Sequence, residues 1–494
     1  MRKLPIMIFL TTFLLLTPVI ANSISHHPAS GGIYTPSNEA ILPPVSYVWQ
    51  EINGFCAWAA TAMAMQYAGA DVSLYDVFAA SSIGFSFAYF NINDTMLILP
   101  GALYTQAEPT NYLADLYGID YTLYIDASIP NLEQNVQVWE SEGLTIGVVD
   151  GEDEAFDLMR DTIDSGYPLL ISVDPSWLPA ADYDILRAEG LSGGGHGILV
   201  VGYNDTERTA TYLDPGVGSF GDNYGYPVDG RGNYSIITYS ALNTAWENRF
   251  YISNTFLPNT ETPRPVDDSL GPLIRDKLLG VGSIYSPSSA NAFVGKFGEN
   301  AFRTMSADMT PTGIKSFLSV FDGINNEVNF KASAIMFIGL GLEAQVTLQY
   351  LSYRTALSAL PAIMSETNLT DFVAAGEQAL PHFEILVDNS TLIYPTNITK
   401  ATGFVATTFK AIADSYNASG DIDDAFAPYD AEFADISAAL LGIADSWKSA
   451  GNELALIWPT DFITQYGTLL AFGGGGAVVV VVLFFWWSGK KPSQ

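Results

Sequence analysis

The chain has 494 residues, with 53 acidic against 20 basic side chains and a net charge of −33 at pH 7. So acidic a chain repels anionic polymers and lacks the basic surface that nucleic-acid binding requires. A single cysteine excludes an internal disulfide.

Residues 1–21 read as a secretory signal: Arg2 and Lys3 are a short basic start, Ile6 to Leu16 an apolar core, and Val19-Ile20-Ala21 a small-residue cleavage site. Export makes a lone thiol an oxidation liability, so Cys56 is either a small buried hydrophobe or a reactive group. The first domain is placed at residues 40–256. Its first half reads as helical, with Cys56 to Tyr67 rich in alanine and methionine and Gly69 as a stop. Its second half reads as strands over Pro168–Val173, Gly197–Gly202 and Thr209–Leu213, with Arg249–Ile252 closing the sheet. Helices first and strands later predict an α+β domain. Residues 257–269, rich in proline and polar side chains, predict a linker, and a cut near residue 262 is expected to leave a folded first domain.

The region 270–460 is predicted mostly helical. Apolar residues recur at helical spacing over Lys331–Leu360, Thr399–Tyr416 and Ala425–Leu456. Its simplest role is a stalk or accessory bundle that holds the first domain off a membrane. Residues 467–487 carry no charge and would span roughly 31 Å as a helix, enough to cross a bilayer. Trp486 and Trp487 suit the interface, and Lys490 and Lys491 place the tail 488–494 in the cytoplasm by the positive-inside rule. The expected protein is therefore a single-pass type I protein of the cell membrane with its first domain on the extracellular side. Seven Asn-x-Ser/Thr triplets, at Asn93, Asn204, Asn233, Asn368, Asn389, Asn397 and Asn417, lie in the outer part and are compatible with glycosylation.

Cys56 heads its helix-forming run, where a thiol meets the positive end of the helix dipole, and a nearby imidazolium would lower its pKa further. The chain has four histidines. His26 and His27 lie beside the signal and His382 beyond the linker. His196 is the one in the body of the first domain, between a Gly-rich turn and an apolar strand. In Leu213-Asp214-Pro215-Gly216, Asp214 is the candidate carboxylate to orient that ring. The same residues also read as an ordinary turn, and Asn223 is the rival third residue. Gln50, six residues before Cys56, is the candidate to donate its side-chain amide to an oxyanion alongside the Cys56 N–H. A thiol, an imidazole and a carboxylate in that order are the parts of an activated nucleophile. The chain has no His-Glu-x-x-His motif, no Walker loop and no Gly-x-Ser-x-Gly elbow. Asp421, Asp423 and Asp424 lack the ligand spacing of a calcium loop and read as a solvated turn. No metal or organic cofactor is expected.

At these residues the chain resembles the papain-like cysteine peptidases. The resemblance rests on Gln50, on Cys56 opening a helix, and on the strand His196-Gly197-Ile198-Leu199-Val200-Val201-Gly202-Tyr203. Asp214-Pro215 is similar to the Asp-Pro pair of the double-glycine-leader peptidase branch, where papain itself has asparagine. The resemblance covers about 200 residues and implies a papain-like fold over 40–256. It also implies a Cys-His-Asp triad of Cys56, His196 and Asp214 that cleaves peptide bonds of a peptide or protein substrate through a thioester. Two features depart from papain. Ala57 intervenes before Trp58, which shifts a packing contact. About 28 residues separate the signal from Gln50, too few for a papain-type pro-segment. An outward-facing enzyme would not share the leader substrates of the branch. The same residue order also serves transglutaminases and amidases, and a binding protein on the same fold would need no chemistry at all. Amine acceptors and thiol-directed probes separate these readings.

Overall fold

The computed structural model describes residues 38–50, 54–92, 95–101, 116–129, 132–141, 144–188, 195–217, 232–259, 266–281, 283–286, 293–388 and 402–459. The expected signal, residues 260–265 of the linker, the apolar segment 467–487, the tail and Asn223 lie outside these residues. The strands are β1 (Glu39–Ile41), β2 (Ala88–Ile92), β3 (Thr95–Gly101), β4 (Ile119–Asp126), β5 (Thr145–Val149), β6 (Leu169–Val173), β7 (His196–Asn204), β8 (Thr209–Leu213), β9 (Ser235–Thr238), β10 (Ser253–Pro258), β11 (Ser283–Ser286) and β12 (Phe293–Phe297).

The larger sheet has eight strands in the order β5-β4-β10-β6-β7-β8-β9, with β1 added to β7. All its pairs are antiparallel except β4 with β5. Strand β7 is buried from His196 to Tyr203, so both of its faces are covered. A continuous apolar run is what such a central strand requires. Helix α1 (Cys56–Tyr67) packs on β6 and β7. From Trp58 to Met65 it is buried all round, which explains why it lacks an amphipathic stripe. The mixed α+β character follows expectation, and so do the strands at 169–173, 196–204 and 209–213.

Three local expectations are corrected. The first half of the domain is not only helical, because β2, β3, β4 and β5 all lie before residue 150. The strand expected at 249–252 begins at Ser253 instead. Phe250 and Tyr251 have positive φ, 54° and 48°, and turn the chain before it can extend. The linker expected at 257–269 is shorter, since β10 runs to Pro258, the Asn259 N–H donates to Gly118 O, and a helix starts at Val266.

The larger correction concerns the helical region, which is not a detached stalk. The second sheet has the order β11-β12-β2-β3, so strands from either side of the expected linker share one ladder. Phe293 pairs with Ile92 and Phe297 with Ala88. The long helix Glu327–Ile363 packs on α2 (Leu74–Ala80) and on the turn Ile83–Phe85. Gln349 Nε2 donates to Gly84 O at 2.6 Å. Phe87 stacks on Phe302 with centroids 4.2 Å apart, and Phe85 meets Tyr353 edge-on at 5.7 Å. One core runs through both regions.

By length and composition the helix Glu327–Ile363 could cross a membrane, but it sits mid-chain and 67% of its most apolar window is buried inside the protein. A carboxylate in that helix, Glu343, is fully buried and accepts the Ala406 N–H at 2.9 Å. It thereby caps the first turn of the helix Phe404–Ser419, where the helix dipole favours negative charge. The helices at 404–419 and 430–457 match the expected helical stretches to within a few residues.

Candidate active site

Cys56 is the first residue of α1, and no side chain caps that end of the helix. The N–H groups of the first turn therefore face the thiol, with the positive end of the dipole behind them. Phe55, buried against the Phe78 ring at 4.7 Å, anchors the chain as it enters. The approach of α1 to β7 depends on Gly197. A Cβ there would lie 2.8 Å from the Cα of Ala57, so only glycine lets the first helical turn rest on the strand backbone. This contact sets Cys56, half-buried, beside His196, which is 5% exposed.

His196 opens β7, and Asp214 follows directly after the neighbouring strand β8. Strand pairing thus brings residues 18 apart in sequence side by side, and His196 Nε2 lies 2.7 Å from Asp214 Oδ1. Asp214 is fully buried, and its Oδ1 also accepts the Gly216 N–H at 2.8 Å. The Asp-Pro-Gly segment is therefore both the ordinary turn and the carboxylate on the ring. Gly216 is needed for this, because a Cβ there would stand 2.6 Å from His196 Cε1. With Nε2 turned to Asp214, Nδ1 is the ring nitrogen left to meet the thiol.

The electrostatics follow from that chain of contacts. Burial by itself would raise the Cys56 thiol. The charge of the His196 imidazolium and its hydrogen bond, with the N–H groups of Gly197 and Ala57, outweigh burial and hold the thiol below its ordinary value. Burial likewise would push the imidazole down. The negative charges of Asp214 and the Cys56 thiolate overcome it and raise His196 to about 10. These charges favour a thiolate–imidazolium pair over a neutral thiol and imidazole.

Gln50 is buried, and its N–H donates to Pro215 O at 3.1 Å. Trp49 Nε1 donates to Val217 O at 3.0 Å, and Tyr47 Oη donates to Asp214 O at 2.7 Å. The segment before the nucleophile is thus laced to the turn that carries Asp214. The rival Asn223 lies outside the described residues.

Sequence reasoning missed two side chains. Tyr183 is fully buried, with its Oη 3.0 Å from both carboxylate oxygens of Asp214 and 3.1 Å from His196 Nε2. Nothing local in Ala181-Asp182-Tyr183 signals this. Arg249 brings its guanidinium beside Gly195, and its charge acts on Cys56 and Asp174. Its place at the positive-φ turn before β10 could be read only once that turn was known. Among the described residues no cluster of three or more His, Cys, Asp or Glu could hold a metal ion. Asp421 is a helix cap, with Oδ1 accepting the N–H groups of Asp423 at 2.9 Å and Asp424 at 3.1 Å.

A half-buried thiol below its ordinary pKa, paired with a buried imidazole and carboxylate at a helix N-terminus, has the parts that an activated nucleophile requires. Residues 43–245 match the Peptidase_C39 like family. The matched stretch begins before Gln50 and ends after Asp214, so it encloses all four candidates. It supports a papain-like cysteine peptidase domain over this part of the chain and stops short of β10 and the helical region. No curated protein matches the chain.

Proposed function

We propose that the protein is a membrane-anchored, outward-facing cysteine peptidase that uses Cys56, His196 and Asp214. The observation that carries the reading is the run of contacts from thiol to imidazole to buried carboxylate, assembled from one helix and two strands. In the first step Cys56 Sγ attacks the peptide carbonyl carbon and the oxygen takes the negative charge. Collapse of that adduct breaks the C–N bond, and the leaving amine takes the proton from His196 Nδ1. Nδ1 then accepts a proton from water, the water oxygen attacks the thioester, and the C–S bond breaks to restore the thiolate. Asp214 keeps Nε2–H in place throughout. The anchor and the outward orientation rest on the residue patterns at 1–21 and 467–491.

In lysates, a membrane-impermeant, thiol-reactive peptide electrophile should label the wild-type protein at Cys56. At pH 6, His196→Ala should lower the labelling rate by roughly 10²-fold or more, because an ordinary thiol is almost wholly protonated there. The same probe on intact cells reads orientation separately. Peptide hydrolysis should hold to high pH and fall near pH 10, where His196 loses its proton. An alkaline limb near that of a free imidazole, or labelling indifferent to His196→Ala, overturns the ion pair. Because the folded-state value of His196 is raised, its contribution to stability is fully present below the ordinary imidazole range and is lost as pH climbs through about 10.

Gln50 is assigned the oxyanion, together with the N–H of Cys56. The reading is supported by the position six before the nucleophile and by the tie of Gln50 to the Asp214 turn. Gln50→Ala should lower kcat by roughly 10²–10³ with KM nearly unchanged, since the charge it meets exists only in the transition state. A matching rise in KM with kcat intact would instead make Gln50 a substrate-binding residue.

A further inference from the structure

We propose that Tyr183 is a positioning residue for the Cys56–His196 pair, its hydroxyl locking the Asp214 carboxylate against the imidazole. The inference rests on the peptidase reading above and assigns it one more part. Tyr183 ends the turn Ala181–Tyr183, and its ring lies tilted by 55° against the His196 ring at 5.6 Å.

The hydroxyl has one proton, and both oxygens of Asp214 and His196 Nε2 lie within 3.1 Å of it. In the imidazolium Nε2 carries a hydrogen and cannot accept, so the phenol proton goes to the carboxylate. A lone pair of Oη is then left facing Nε2–H. Asp214 Oδ1 already takes Nε2–H and the Gly216 N–H. Among the described residues, Tyr183 is the donor that reaches Oδ2. Burial, with the charge of Asp214 and the neighbouring Tyr212, holds the phenol well above its usual range, so it stays a donor at any working pH. Without the hydroxyl, one oxygen of a buried carboxylate loses its partner. The carboxylate can then turn about its Cβ–Cγ bond, and the ring it orients turns with it. Gly216 allows the arrangement, since a Cβ there would stand 2.8 Å from the Tyr183 hydroxyl.

Tyr183→Phe keeps the ring and removes the hydroxyl. Alkylation of Cys56 by iodoacetamide, followed against pH, reads the pair whether or not the chain hydrolyses peptides. The charged and titratable groups around the pair are Asp214, Tyr183 and Tyr212 on the imidazole side and Arg249 on the thiol side. In folded Tyr183→Phe the alkylation midpoint should rise by about one pH unit, lowering the rate at pH 6 about tenfold. In an Asp214→Asn background the same change should shift the midpoint by less than about 0.3 unit, because the hydroxyl acts through the carboxylate. An unchanged midpoint in folded Tyr183→Phe overturns the proposal, and so does an equal shift in both backgrounds. If Tyr183→Phe alone does not fold, the comparison of Asp214→Asn with the double variant decides: equal midpoints uphold it and different ones overturn it. Normal alkylation in a wild-type protein that cleaves no peptide would sink the peptidase reading and leave this one standing.

Discussion

Cys56→Ser is expected to reduce peptide hydrolysis by at least about 10⁴-fold while the protein stays folded. The chain has one cysteine, so no second thiol can substitute. A serine hydroxyl fits the same half-buried place at the start of α1, where it is also well tolerated as a helix-terminal residue. Yet it is far harder to ionise than a thiol. The His196 imidazolium and the N–H groups of Ala57 and Gly197 that hold a thiolate would face a neutral hydroxyl instead. Ionisation of the nucleophile would then have to occur during attack instead of being complete before it. Thermal unfolding should move little, within about 0.5 kcal/mol of wild type. Hydrolysis retained by the purified serine variant would remove Cys56 from the chemistry. A protein that binds peptides equally well with cysteine or serine, and cleaves them with neither, would be a binding module on a peptidase fold.

The second large effect is on stability. A fragment ending at residue 259 should fail to fold, whereas one ending at residue 459 should fold cooperatively. In the shorter piece, Ile83, Phe85, Phe87 and Tyr89 lose the elements that bury them: the helix Glu327–Ile363, the helix Gly298–Asp308 and β12. Re-exposing four large side chains at about 1.5–3 kcal/mol each costs roughly 6–12 kcal/mol, as much as a whole domain's margin of about 5–15 kcal/mol. Strand β2 also loses its partner β12 and becomes a bare edge, which invites aggregation. Circular dichroism and a thermal melt of both fragments decide the matter. A sharp melt and full activity in the shorter fragment would show that the shared core is not needed. That would restore the picture of an independent first domain on a stalk.

The candidate site residues were legible in the sequence because they are scarce. One cysteine and one histidine within the first domain leave little choice, and each sits in a local pattern with a physical meaning. Cys56 opens an alanine- and methionine-rich run that needs no partner to announce a helix, and Gly69 marks its end. His196 opens a run apolar at every position, which only a strand covered on both faces can use. The turn at Asp214-Pro215-Gly216 was equally plain, although the sequence could not say whether the carboxylate served the turn or the ring. It serves both, since Oδ1 has room for the Gly216 N–H and for His196 Nε2.

The rest was decided by contacts that no local pattern encodes. Any strand offers the same backbone donors and acceptors, so nothing in Ala88–Ile92 announces that its partner lies some 200 residues away at Phe293–Phe297. The helices of the second region were visible from their apolar spacing. That spacing reports how much of a helix is buried, though, and not what buries it, and so a core shared with the first domain was read as a separate bundle. Tyr183 gains its importance from lying 3.0 Å from Asp214, and Arg249 from the action of its charge on Cys56, each across different elements. Composition, periodicity and turn chemistry act along the chain and determined the elements and the candidate nucleophile. The contacts among Cys56, His196, Asp214 and Tyr183 and the union of the two regions depend on side chains meeting in space, which only the packed tertiary structure specifies.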